Sequence, residues 1–394
     1  MRTVRFADRT GWTSEETAWS RALETRRRTG LPILDLTASN PTQCGFAYDP
    51  DLLTELSAAG ARHYDPDPRG MRDAREAVRG YYADHGAVVD SEQIVLTTST
   101  SEGYSRLFRL LCDPGDAVLI AQPSYPLFDL LAAIDDVALM PYPLLYDPGG
   151  SHGWSLDLHT LEQRITPRTR AILVVHPNNP TGHFTTASER AALSALCHER
   201  GLALIVDEVF LDYPMAGCAA ETFARHAGSA LTFVLSGLSK IAALPQMKAS
   251  WIVSLGPQAE QREAMRRLEI IADTFLSMNA PVQQAMPGWI AGRHAVQQQV
   301  RARVQSNLAA LDRALAGQHA VSRLVCDGGW YATLRTPTHE SGEALAVRLL
   351  EEYGVAIHPG RFFGFADQNR VVVSLLTVPE VFAEGIGAML AGGR

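Results

Sequence analysis

Five short apolar runs constrain this chain most: Ile94–Thr98, Ala117–Ala121, Ala171–His176, Leu202–Val206 and Thr232–Leu235. They read as buried strands. Between them lie amphipathic stretches such as Ser101–Cys112 and Ala187–Arg200. Strand alternating with helix predicts an α/β fold, a parallel sheet covered by helices on both faces. Turn signals such as Asp113-Pro114-Gly115 and Asp147-Pro148-Gly149 punctuate the pattern.

The character then changes. Gln258–Ser277 and Ala295–Leu315 predict long helices, Gly328–Leu334 a strand and Gly342–Tyr353 a helix. Val371–Leu376 predicts another strand and Pro379–Leu390 a closing helix. This second pattern fits a smaller α+β domain packed on the larger one. A chain of 394 residues, 46% of them hydrophobic, has the material for two or three domains.

Composition removes several functions. The net charge of −8 leaves no basic excess to neutralise a phosphate backbone, which argues against nucleic acid as a partner. No apolar run is long enough to span a bilayer. Met1–Glu15 mixes charged and apolar residues without a signal-peptide core, so a cytoplasmic protein is expected. Cys44, Cys112, Cys197, Cys218 and Cys326 are odd in number and no two are separated by two residues. No disulfide framework, zinc knuckle or other metal site is expected.

Lysine usage is more telling. Of 35 basic residues only Lys240 and Lys248 are lysines, eight residues apart. Drift in base composition could spare two codons. Arginine, however, cannot serve as a deprotonated amine nucleophile that forms a Schiff base.

Four clusters follow predicted strands, where open α/β sheets bind ligands. Thr97–Gly103 offers hydroxyls and backbone N–H groups at a helix N-terminus, suited to an anion or simply to capping. Asn178-Asn179-Pro180-Thr181-Gly182 reads by itself as a turn. Asp207-Glu208 places carboxylates at a strand end, where capping is the common explanation. Ser236–Lys240, with Lys248 beyond it, would otherwise be surface.

In this order and spacing the clusters resemble the class I/II aminotransferases, the pyridoxal-phosphate enzymes of fold type I. The resemblance runs from about Ile33 to the C-terminal helix. It implies a large cofactor-binding domain over 45–280 and a small domain built from 1–44 and 281–394. Lys240 matches the Schiff-base lysine and Asp207 the carboxylate that pairs with the pyridine nitrogen, making the ring an electron sink. Asn179 matches the partner of the phenolic oxygen and Tyr125 the aromatic stacked on the ring. Ser99, Thr100 and Ser239 resemble phosphate ligands, and Lys248 stands where most members carry an arginine. Tyr64, in His63-Tyr64-Asp65-Pro66, resembles the tyrosine lent to a neighbouring subunit, which implies a homodimer with shared active sites. Asp35–Pro41 resembles the segment over the substrate, with Ser39 and Asn40 as candidate contacts.

Three departures stand out. Phe210 occupies the position of a usual tyrosine, and Gly237 that of a usual serine. The substrate-carboxylate arginine is replaced by Val372, in register with Ser374. Arg370, two positions earlier on the same strand face and about 7 Å away, and Arg361 are the substitutes considered. His358 and Trp330 are further candidates for the side-chain pocket.

The resemblance implies a pyridoxal-phosphate-dependent aminotransferase that passes an amino group between an amino acid and a 2-oxo acid. The alternative keeps the cofactor and changes the reaction to β- or γ-elimination or replacement, carbon–carbon cleavage or decarboxylation, in a biosynthetic pathway. A cofactor-sensing regulator would need a DNA-binding domain before Ile33. A serine nucleophile lacks both an SxxK and a GxSxG context.

Overall fold

The computed structural model describes residues 4–12, 16–64, 66–150, 153–226, 228–276, 278–337 and 339–392. Asp65, Ser277 and the chain ends, which enter the expectations above, lie outside it.

In chain order the strands are β1 (Leu34–Asp35), β2 (Ile94–Thr97), β3 (Ala117–Gln122), β4 (Ala138–Tyr146), β5 (Trp154–Leu156), β6 (Thr169–Val175) and β7 (Ala203–Asp207). There follow β8 (Thr232–Gly237), β9 (Ser250–Leu255), β10 (Ser322–Arg323), β11 (Tyr331–Arg335), β12 (Val355–Ala356), β13 (His358–Pro359) and β14 (Arg370–Ser374).

The large sheet has the order β2-β9-β8-β7-β6-β3-β4-β5. Its centre, from β8 through β7, β6 and β3 to β4, is parallel, whereas β9 and β5 run antiparallel to their neighbours. The five sequence-predicted strands are five of these eight. In β7, Leu204 and Val206 enter one core cluster while Ala203 and Ile205 enter another on the opposite face. Burial on both faces is why the run is apolar without alternation.

The smaller sheet has the order β10-β11-β14-β13 and is antiparallel. In the N-terminal segment β1 pairs in parallel with β12, the two forming a separate two-stranded sheet. Trp19, Leu36 and Cys44 share one core cluster with C-terminal residues such as Trp330, Leu345 and Phe382. Both ends of the chain therefore bury apolar surface together.

The helix expected from Ala295 begins at Ala280 and runs to Leu315, with Pro287 inside it. Prolines 281 and 287 conceal that start from a periodicity reading, although Asn279 caps it by accepting from the Val282 N–H at 3.1 Å. Its first turns pack in the large core (Val282, Met286, Ile290) and its later turns in the small one (Val296, Val304, Leu311). Among the described residues no helix is long and apolar enough to cross a membrane. Among them, no three or more His, Cys, Asp or Glu side chains are grouped so as to hold a metal ion.

Candidate active site

The carboxyl ends of β6, β7 and β8 open into a cavity of about 290 Å³. Val175, Asp207 and Gly237 come from those ends, and Lys240 follows on the single turn Leu238–Ile241.

Lys240 is half-buried and open to the cavity. Its Nζ lies 5.5 Å from the Phe210 ring centroid and 5.1 Å from that of Trp330. Desolvation lowers the amine to about 8, against the opposing pull of Asp207. An amine near that value holds an appreciable neutral fraction at neutral pH, as a nucleophile or proton carrier needs.

Asp207 is buried and held from two sides. The Tyr104 hydroxyl donates to Oδ2 at 2.7 Å and the Val209 N–H to Oδ1 at 3.0 Å. Burial pushes its carboxyl above the ordinary value, and the two donors and Lys240 offset part of that. The carboxylate suits a cationic N–H in the cavity.

The two asparagines divide their roles. Asn178 is structural: Nδ2 donates to the Pro123 carbonyl at 3.3 Å, and Oδ1 accepts from Thr181 Oγ1 at 2.9 Å. Asn179 lines the cavity, and its buried Oδ1 has no hydrogen-bond partner among the described residues. Gly182 closes the turn at φ +75°, where a Cβ would meet the Gly328 carbonyl at 2.4 Å. Only glycine fits there.

Ser99 caps the helix Thr100–Leu111, its Oγ accepting from the Glu102 N–H at 3.1 Å. The capping reading of this cluster is thus realised. Ser99 and Thr100 also line the cavity with Ser239 and Lys248, so the cap and an anion cradle coincide. Lys248 is left-handed at φ 53°, a conformation costing roughly 1–2 kcal/mol. Tyr125 is 41% exposed and lines the same cavity, meeting Phe128 edge-on at 6.0 Å.

Most of the other expected contacts are not gathered here. Ser39 lines the cavity together with Tyr331. Asn40 does not line it, its Oδ1 being used by the Thr42 N–H at 3.2 Å and hydroxyl at 2.8 Å. Arg361 is drawn to Glu343 at 2.5 Å and is half exposed. Arg370 is tied to Asp367 and Asn369, each at 2.5 Å, and faces a separate groove with Arg335 and Trp154. Carboxylates thus hold both arginines away from the cavity. Val372 is fully buried. Trp330 does not line the cavity but packs on Phe210 and Tyr213, while His358 packs among Trp19, Phe362 and Phe363. Tyr64 is 75% exposed and apart from the cavity. Sequence reasoning missed Tyr104 and Tyr331, because a tyrosine on a helix or strand carries no mark of the partner it meets across the fold.

This arrangement is the fold of known aminotransferases. An aminotransferase from Escherichia coli superposes with a TM-score of 0.87 at 21% identity, covering 99% of this chain and 98% of that one. Alanine aminotransferase from Pyrococcus furiosus superposes at 0.86 and 20%, over 98% of each.

The family described as aminotransferase class I and II matches residues 34–381, and the chain belongs to it. Among curated relatives, the glutamate-pyruvate aminotransferase AlaA of Escherichia coli (strain K12) is 27% identical over 270 residues, 68% of this chain and 65% of that protein. The match thus spans just under two thirds of that relative's length. The arginine–pyruvate transaminase AruH of Pseudomonas aeruginosa is 26% identical over 357 residues, 90% of this chain and 88% of its own.

Proposed function

We propose that this protein is a pyridoxal 5'-phosphate-dependent aminotransferase that moves an amino group between an amino acid and a 2-oxo acid. The observation that carries this reading is Lys240, its amine lowered to about 8 within one cavity shared with Asp207 and Asn179. The cavity's donor set fits the cofactor. Asn179 brings a buried amide whose oxygen has no partner among the described residues, Asp207 a buried carboxylate, and Ser99, Thr100, Ser239 and Lys248 the hydroxyls and cation for a phosphate.

Bound there, the cofactor would supply an aldehyde and an electron-withdrawing ring. Asp207 would accept a hydrogen bond from the ring nitrogen, and Tyr125 would cover a ring face. Lys240 would bind the aldehyde, release it to the substrate amine and carry the α-proton. Pyruvate is the first acceptor to test, since the names of two relatives include it.

On this reading the cofactor belongs to a large domain, 45–280, and the substrate is enclosed by a small one, 1–44 with 281–394. The active unit is a homodimer in which exposed Tyr64 reaches the partner's phosphate site. The protein is cytoplasmic, which agrees with five free cysteines.

A second reading, elimination or another reaction on the same cofactor in a biosynthetic pathway, is favoured by one observation. Val372 replaces the expected arginine and neither Arg361 nor Arg370 lines the cavity. Incubating pure protein, pyridoxal phosphate, ¹⁵N-labelled L-amino acids and pyruvate distinguishes the two. Label in newly formed alanine supports transamination. Label released as ammonia, with none in alanine, supports elimination and rejects the first reading.

A further inference from the structure

The cavity contains a hydroxyl that no likeness of sequence assigns. Ser250 opens β9 and is 2% exposed. It lines the same cavity as Ser99, Ser239 and Lys248. Its Oγ has no hydrogen-bond partner among the described residues, although the neighbouring polar groups of the helix cap are paired.

Two registers explain its position. Ser250 lies opposite Gly237 on one side and opposite Thr97 on the other. Those two strands lead into Ser239–Lys240 and into Ser99–Thr100. Ser250 therefore sits between the two loops that supply the other hydroxyls.

Cross-strand partners in an antiparallel pair project to the same face. A Cβ at Gly237 would lie 2.2 Å from Ser250 Oγ, 2.8 Å from its Cβ and 2.9 Å from the Ala249 carbonyl. Gly237 has an extended backbone at φ 178°, so its glycine is not required by a left-handed conformation. Space is the constraint: a side chain at position 237 would overlap that of Ser250, and its Cβ would also press on the Ala249 carbonyl.

We infer that Ser250 is a phosphate-binding residue, donating its hydroxyl to the phosphate monoester of the cofactor from the strand beside Gly237. This rests on the proposed cofactor reading. A hydroxyl at either position enters the same volume, so the ladder permits the donor to move across it. The missing hydroxyl at position 237 then leaves no gap in the anion site.

The test measures binding, not turnover. Pyridoxal phosphate and pyridoxal, which lacks the phosphate, are titrated by absorbance into wild type, Ser250→Ala, Gly237→Ser and the double variant Gly237→Ser/Ser250→Gly. Ser250→Ala is expected to weaken pyridoxal phosphate roughly tenfold or more, as for a lost hydrogen bond to a charged group, and to leave pyridoxal unchanged. Gly237→Ser alone is expected to weaken pyridoxal phosphate through overlap, and the double variant to recover part of the affinity, the overlap with the Ala249 carbonyl remaining. The ³¹P resonance of the bound cofactor should shift in Ser250→Ala and return towards its wild-type position in the double variant.

Unchanged pyridoxal phosphate affinity in Ser250→Ala, or equal weakening of both ligands, would overturn the inference. Wild type that binds no pyridoxal phosphate would instead overturn the cofactor reading itself.

Discussion

The Tyr104 hydroxyl donates to Asp207 Oδ2 across 2.7 Å, tying the helix after β2 to the carboxylate that ends β7. Asp207 is buried and its carboxyl lies above the ordinary value. Every donor that reaches it therefore helps to keep it ionised.

Tyr104→Phe removes one such donor. The Asp207 carboxyl should rise further, moving the acid limb of the kcat/KM–pH profile to higher pH. At neutral pH, kcat/KM should fall roughly ten- to a hundredfold, the worth of a hydrogen bond to a charged group. A pH–rate profile identical to wild type would remove Tyr104 from the site.

Lys240→Ala should abolish turnover, and retained full activity would refute the site. Lys240→Met addresses the cost of the amine. The folded value, about 8, lies below the ordinary 10.5, so the amine's stabilising contribution is present above 10.5 and lost as pH falls through 8. The cofactor-free Met variant should therefore be the more stable at pH 7, by on the order of 2–3 kcal/mol. Its advantage should shrink between pH 8 and 10.5. Denaturant melts across that range provide the check.

Glu208 has the opposite sign. Burial raises its carboxyl to about 7, even though it accepts from the Thr222 hydroxyl and the Phe223 N–H, each at 2.6 Å. Its stabilising contribution is complete below 4.5 and lost as pH rises through 7. Glu208→Gln should flatten the decline in stability between pH 4.5 and 7. An unchanged slope in thermal melts of the variant would contradict this.

Gly182→Ala puts a Cβ against the Gly328 carbonyl at positive φ. Stability should fall by about 2 kcal/mol or more, and cofactor affinity should fall with it because the turn positions Asn179. A melting temperature within a degree of wild type would show that the turn can relax.

Arg361→Ala and Arg370→Ala should each leave the KM for the amino acid within roughly twofold of wild type. Both guanidiniums are held by carboxylates outside the cavity, and exposed pairs contribute little. A tenfold rise in KM for either variant would place that arginine on the substrate.

Strands β3, β6, β7 and β8 of the parallel centre were legible because strands buried on both faces must be apolar throughout. Lys240, Asp207, Asn179 and Ser99 stood out because each lies at or just after the carboxyl end of a strand, and they line one cavity, while the roles expected of them came from the family resemblance. β4, β5 and β9 were not anticipated: β4, for one, contains Pro141 and Pro143 and is partly exposed, so its residues carry no clean period.

Local sequence therefore determined which chain segments become strands and which polar residues stand at their ends. Tertiary structure decided which of those residues meet. It brought Tyr104 to Asp207, put Ser250 into the volume beside Gly237, and turned Arg361 and Arg370 towards their own carboxylates. Backbone periodicity is local, whereas contact between side chains far apart in the chain depends on strand order, register and the space that neighbours leave.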